Sequence, residues 1–411
     1  MDWRDTPQQA AFREEVRRFV RDRFPADYGP NLADEPSMEP EDVHGYEWAA
    51  DRKSADPTRR AGAAAWAAAL AERGWVAPHW PAEYGGAGLT VMELFALQEE
   101  MMRARVPTVS GIGAYLLGPT LLEYGTEEQR RVHLPPISAG RVAWAQGFSE
   151  PDAGSDLAGL RTRAVRDGND YVVNGQKVWT SQAQHADWLF ALVRTDPEAP
   201  RHRGITYLLV DLATPGVTVR PIQDMRGAYP FAEIFFEDAR VPVANRVGEE
   251  NGGWRVAMAT LGYERSGIGS TIRFEQALAR LVALIREGKG RDRLRADWRT
   301  AVRHEIAQRH IEIRVLHNLV RHAVSLQAAG EPPGTEASVN QLFGAELHQR
   351  LARTGALAFG PHGALWRHEG APLEAEFMHD WVGSVAHPFL GGSAEVQRNI
   401  IATRGLGLPR G

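Results

Sequence analysis

Apolar residues fall into three textures along the chain. From Gln8 to about Gly140 they recur at helical spacing, and Phe12, Val16, Phe19 and Val20 mark one buried face. An acidic, proline-bearing stretch from Asn31 to Pro57 interrupts this region and reads as a surface excursion. Between Arg141 and about Val247 the runs shorten and become β-rich, at Trp188 to Arg194, Ile205 to Val210, Val217 to Ile222 and Ala232 to Phe236. Asp167-Gly168-Asn169 and Asn174-Gly175 read as hairpin turns, because their residues tolerate the positive φ of tight turns. After Asn251-Gly252-Gly253 the helical period returns. Leu278, Leu281, Val282 and Ile285 form one stripe, Ile306, Ile313, Leu316 and Val320 another, and Val339, Leu342, Phe343 and Leu347 a third beyond the breaker at Gly330 to Gly334. The pattern predicts a mainly α protein with a central β-domain. It comprises an N-terminal helical domain (1–140), an antiparallel, barrel-like β-domain (141–250) and a C-terminal four-helix bundle (251–411).

At 411 residues the chain is long enough for two or three core-forming units. Its 43% hydrophobic and 24% charged residues are ordinary for a globular protein. The net charge of −5, with Lys and Arg scattered, gives no footprint for nucleic acid or an anionic membrane. With no cysteine there are no disulfides, thiolate metal sites or thiol nucleophiles. Neither a signal peptide nor an apolar run near the ~20 residues of a membrane span is present, so a cytoplasmic enzyme is expected.

Two polar segments carry the candidate chemistry. Gln146 to Asp156 reads QGFSEPDAGSD, whose hydroxyls and glycine-flanked backbone let main-chain N–H groups approach a pyrophosphate. Val172 to Ser181 reads VVNGQKVWTS and brings an aromatic ring and two hydroxyls to one face. With PHWPAEYGG (Pro78 to Gly86), GYER (Gly262 to Arg265) and GGSAEVQRNIIA (Gly391 to Ala402), these strings occur in an order that resembles the acyl-CoA dehydrogenase family along nearly the whole chain.

That resemblance implies FAD as cofactor and an acyl-CoA as substrate. It places the Phe148 and Ser149 backbone and the Ser149 hydroxyl on the flavin pyrimidine, and Gly154 and Ser155 at the pyrophosphate. Trp179 would lie against the isoalloxazine, with Thr180 and Ser181 beside it and the Ser181 hydroxyl directed at N5. By the same resemblance, Gly392, Ser393 and Glu395 would be further cofactor contacts. Many relatives carry their catalytic glutamate in a Tyr-Glu-Gly-Thr string, which here reads Leu390-Gly391-Gly392-Ser393. A subset places the base in an earlier Glu-Arg pair, here Glu264-Arg265. Glu264 is therefore the expected base, with the Gly391 N–H polarising the thioester carbonyl. The implied reaction is α,β-dehydrogenation to a trans-2-enoyl-CoA, with an electron-transfer flavoprotein as acceptor.

Metal chemistry has little support. His304-Glu305 and His310 resemble a zincin helix, but the histidines are six apart and so lie about 120° apart around a helix. Two departures from the family bear on assembly. The Phe-Gly element by which a neighbouring subunit holds the flavin is missing from Ile285 to Arg291, and Leu357 stands where a glutamine is usual. Either Arg286 or Arg291 substitutes in a homotetramer, or a related chain completes the site in an α2β2 heterotetramer. Competing readings are a non-catalytic or partner-dependent subunit, and a flavin oxidase or monooxygenase on the same fold.

Overall fold

The computed structural model describes residues 5–28, 47–263, 270–287, 298–331, 334–366, 371 and 375–409. The N-terminal helices are α1 (Pro7–Arg23), α2 (Trp48–Asp51), α3 (Pro57–Glu72), α4 (Val91–Arg103), α5 (Gly118–Tyr124) and α6 (Glu127–Ser138). Reciprocal caps fix three of the starts. Thr6, Thr90 and Thr126 each accept from the backbone N–H three residues on, where Gln9, Glu93 or Gln129 reaches back to the cap. The predicted face of α1 is seated by fully buried Val16 and by Arg13. The Arg13 guanidinium meets Asp5 at 2.9 Å, Glu99 at 2.6 Å and Glu100 at 3.0 Å, and Arg17 adds a second cation, donating to Glu100 at 2.8 and 3.1 Å. Between α4 and α5, Gly113–Leu117 forms a π-helical turn.

The central unit is built from β1 (Trp144–Gly147), β2 (Arg163–Asp167), β3 (Asp170–Ser181), β4 (Trp188–Arg194), β5 (Ile205–Asp211), β6 (Val217–Ile222), β7 (Phe231–Pro242) and β8 (Arg246–Val247). They form one eight-stranded sheet in the order β6-β7-β3-β2-β4-β5-β8, with β1 on β4. Pairing is mostly antiparallel, with parallel joins at β1–β4 and β2–β4. Both faces of β4 are covered: Phe190 and Leu192 enter the core shared with the N-terminal helices, while Leu189, Ala191 and Val193 enter the core on the other face. Asp167 and Asp170 do flank a hairpin turn, with Gly168 at φ 61°. Asn174-Gly175 does not. These residues lie inside β3, where the register against β7 shifts and Gly175 sits at φ 145°; a positive-φ glycine within a strand serves a bulge as readily as a turn.

The C-terminal helices are α7 (Gly253–Tyr263), α8 (Ser270–Glu287), α9 (Trp298–Ala328), α10 (Glu336–Ala358), α11 (Glu376–Ser384) and α12 (Ala394–Ile400). The predicted stripes of α8, α9 and α10 meet in one core that contains Leu278, Leu281, Ile313, Leu316, Val320 and Leu347, closed by Phe377 of α11. The start of α7 lies on β5, where a Cβ at Gly253 would fall 2.5 Å from the Tyr207 nitrogen, so glycine permits the contact. A hydrogen bond of 2.8 Å between the Thr120 and Thr260 hydroxyls ties α7 to α5. No helix among the described residues is long and apolar enough to cross a membrane.

Candidate functional site

The Gln146 to Asp156 segment leaves β1 and folds back at once. Glu150 and Ala153 exchange backbone hydrogen bonds of 2.9 and 3.0 Å, which closes a tight turn. The Phe148 ring is buried edge-on against Phe190 and Tyr207, at centroid distances of 5.8 and 6.0 Å. Only the backbone of Phe148 is left for a ligand. Ser149 is half-buried, and its carbonyl accepts from the Val178 N–H at 3.0 Å, which joins this loop to β3. Gly154 and Ser155 are exposed, and a Cβ added at Gly154 would meet nothing within 4 Å.

Two residues that no sequence pattern singled out hold the loop in place. Lys177 is fully buried, and its ammonium donates to the Phe148 carbonyl at 3.3 Å and to Glu150 at 2.7 Å. Glu150 also accepts from the N–H groups of Arg161 at 2.6 Å and Thr162 at 2.9 Å. Burial works to raise the Glu150 pKa. The Lys177 charge and these donors override it and hold the carboxyl below its ordinary range. A lysine in the inward register of a strand is the signal that was available, since such a charge requires a partner.

The second segment is the end of a strand. Between Lys177 and Thr180 the pairing of β3 with β7 slips, and within that irregularity Trp179 takes φ 60°. A bulky residue in the left-handed region is strained by about 1–2 kcal/mol. The bulge turns the indole outward, leaving it 59% exposed with only an edge contact to Phe231 at 6.1 Å. Thr180, next to it, is buried, and its hydroxyl has no hydrogen-bond partner among the described residues. Ser181 is half-buried and pairs with Phe231.

Gly391 and Gly392 form a turn at φ 65° and 99°, closed by the Ala394 N–H donating to Pro388 at 2.7 Å and by Gln397 Nε2 donating to the Gly391 carbonyl at 3.0 Å. The Gly391 N–H bonds to no described residue. Ser393 caps α12 by accepting from the Val396 N–H at 3.3 Å. Glu395 is exposed, and the backbone N–H at this helix start, with the Ser393 hydroxyl, lowers its pKa.

One loop touches both the sheet end and α11. The Gln182 N–H donates to the Pro230 carbonyl at 3.1 Å, and a few residues back along the same loop Arg226 packs on α11, where a Cβ at Gly383 would lie 2.6 Å from its guanidinium. Ser149 and Val178 join the loop of Phe148 and Ser149 to the strand that carries Trp179, Thr180 and Ser181, while Gly391, Gly392, Ser393 and Glu395 lie at the start of α12. Glu264 and Arg265 lie outside the described residues, as do Gly288 to Arg291. No metal-ligand cluster occurs among the described residues.

An exposed, strained indole beside a buried unpartnered hydroxyl, on a strand bonded to a loop with open space at its glycine, fits a flat cofactor with polar edges and a pyrophosphate. Comparison with known proteins agrees. The acyl-CoA dehydrogenase N-terminal, middle and C-terminal domain models match residues 6–141, 145–239 and 251–406. Acyl-CoA dehydrogenase IpdE1 of Mycolicibacterium smegmatis is 39% identical over 97% of each chain. The solved Tcur3481-Tcur3483 steroid ACAD superposes with a TM-score of 0.82 at 32% identity, covering 100% of both chains. The ChsE4-ChsE5 complex from Mycobacterium tuberculosis gives 0.80 at 33% identity, again covering 100% of both. The chain therefore belongs to the acyl-CoA dehydrogenase family of flavin-dependent oxidoreductases, which act on the CH–CH bond of acyl-CoA thioesters.

Proposed function

We propose that this chain carries FAD and dehydrogenates an acyl-CoA at Cα–Cβ to the trans-2-enoyl-CoA, with Glu264 as the base. The bound flavin would supply the hydride acceptor, at N5. The Phe148–Ser149 backbone and the Thr180 and Ser181 hydroxyls would hold its polar edges, with Trp179 against one face and Gly154 and Ser155 at the pyrophosphate. Gly392, Ser393 and Glu395 contribute from the helical side. The Gly391 N–H donates to the thioester carbonyl and stabilises the negative charge that grows there as the α-proton leaves. One preorganised donor of this kind is worth about 3–4 kcal/mol in the transition state. Glu264 takes that proton. The single observation that carries the reading is the outward Trp179 on its bulge beside the unpartnered Thr180 hydroxyl. A panel of straight-chain, branched and ring-bearing acyl-CoA thioesters, assayed with an artificial electron acceptor, tests it. Turnover of none would sink it.

A second reading concerns assembly, and Leu357 at the usual glutamine position favours it. In that reading the chain works in an α2β2 assembly whose other subunit completes the flavin site, with an electron-transfer flavoprotein as acceptor. Two of the similar solved structures, the Tcur3481-Tcur3483 steroid ACAD and the ChsE4-ChsE5 complex, pair two components. Flavin stoichiometry of the chain alone and after co-expression with a related dehydrogenase chain separates this arrangement from a homotetramer.

A further inference from the structure

Glycine at 391 gives its turn a weakness as well as room. Gly391 sits at φ 65° and Gly392 at φ 99°. A glycine accepts either sign of φ, so the Leu390–Gly391 peptide can rotate as a unit and exchange the places of its C=O and N–H. In a planar trans peptide those two groups point in opposite directions. One orientation offers a neighbouring oxyanion a donor. The flipped one offers it a carbonyl oxygen, which repels the growing charge.

The contact that selects between them comes from α10. Gln341 Nε2 donates to the Leu390 carbonyl at 2.8 Å. That carbonyl belongs to the same peptide unit as the Gly391 N–H, so holding one end of the unit aims the other. The next peptide is held in the same way from α12, where Gln397 Nε2 donates to the Gly391 carbonyl at 3.0 Å. Two side-chain amides therefore fix two consecutive peptide planes of the double-glycine turn. The helix that carries Gln341 is firmly seated. Leu347 and Leu351 lie in the bundle core, and Glu346 meets Arg398 of α12 at 2.5 Å. His348 bonds Asp380 of α11 at 2.7 Å, and its ring lies 4.3 Å from that of His387, just ahead of the turn. Gln341 and His348 are about two helical turns apart, so one face of α10 grips both ends of the 387–390 segment.

We propose that Gln341 is a positioning residue for the dehydrogenation: it locks the Leu390–Gly391 peptide with its N–H turned toward the thioester carbonyl, and it strengthens that donor. A bond accepted at the carbonyl polarises the amide and makes its N–H a better donor, by about 10–30%. One oxyanion donor is worth about 10²- to 10³-fold in rate, so strengthening of that size corresponds to roughly two- to eightfold. The inference rests on the dehydrogenase reading and deepens it to a residue that never touches the substrate.

The test uses flavin-loaded enzyme, with 3-cyclohexylpropanoyl-CoA and an artificial electron acceptor for rates. Infrared spectra of bound trans-3-cyclohexylpropenoyl-CoA, labelled with carbon-13 at the thioester carbonyl, read polarisation directly. Gln341→Met keeps the side-chain length and removes the donor, whereas Gln341→Lys keeps a donor. The methionine variant should lose roughly two- to eightfold in kcat with KM nearly unchanged, because the bond matters most in the transition state. Its carbonyl band should move back toward that of the free thioester. The lysine variant should recover both. A methionine variant with parental kcat and a parental band overturns the proposal. So does one whose rate falls while the band stays in place, since a purely structural defect lowers activity without changing polarisation. A parent enzyme that neither oxidises the saturated thioester nor shifts the band of the unsaturated one fails the acyl-CoA reading itself, and the inference falls with it.

Discussion

Replacing Trp179 separates a cofactor platform from a misplaced core aromatic. A tryptophan presents roughly 150–250 Å² in all. At 59% exposure, well over half of that area meets solvent in the unliganded chain. A flat ring covering about half of the exposed part would remove roughly 65 Å² from water, worth about 1.6 kcal/mol. Offset stacking adds about 0.5–1.5 kcal/mol. Trp179→Ala should therefore weaken flavin by about 2–3 kcal/mol, or roughly 30- to 150-fold in Kd. Trp179→Gly supplies the control. It should bind flavin as weakly as the alanine variant, yet its flavin-free form should be the more stable of the two by about 1 kcal/mol, because glycine occupies φ 60° without strain. Titrating flavin-free protein with FAD by fluorescence quenching, alongside thermal unfolding, reads both quantities. Flavin affinity within about threefold of the parent in both variants would refute the stacking argument, since even the area term alone predicts more.

The buried pair beneath the first loop gives a pH signature. Because the Glu150 pKa is depressed on folding, its stabilisation is present above the ordinary carboxyl value of about 4.3 and is lost as pH falls through the lower folded value. The parent should lose flavin and stability in that acid window. Glu150→Gln should lack the step and already be weaker by about 3–5 kcal/mol at pH 7, as measured by denaturant titration, because Lys177 is left buried without its counter-charge. Glu264→Gln should keep flavin and fold while turnover falls about 10²- to 10⁴-fold; near-normal rates would move the base elsewhere. The chain purified alone should be substoichiometric in FAD, and co-expression with a related dehydrogenase chain should raise occupancy and turnover together. A fully loaded, fully active tetramer of this chain alone would count against that, and alanine substitutions at Arg286 and Arg291 would then show which one serves the neighbour.

The architecture was legible in the sequence because period carries it. The stripes at Leu278, Ile313 and Leu347 meet in one core, and the runs beginning at Trp188, Ile205 and Val217 are strands. Asn174-Gly175 misled because a glycine that accepts positive φ serves a bulge as readily as a turn, and only pairing with β7 decides between them. The site strings singled out Phe148, Trp179 and Gly391 as candidates, but not what holds them. Lys177 meets Glu150 across 27 positions, and the strain at Trp179 comes from a register slip against β7; both depend on non-local pairing that local composition does not encode.

The clamp of Arg13 on Glu99 and Glu100 has a consequence for synthesis. The arginine precedes Glu100 by 87 positions, so the amino-terminal helix leaves the ribosome long before its acids exist. At about 5–20 residues per second, that delay is roughly 4–17 s. During it the apolar face around Val16 can rest on Trp66 and Trp75 as they emerge, but only when α4 follows can the guanidinium find its acids and close the first domain. Translation speed through the codons for residues 14–100 is therefore a lever on how much of this chain is captured by chaperones before it folds.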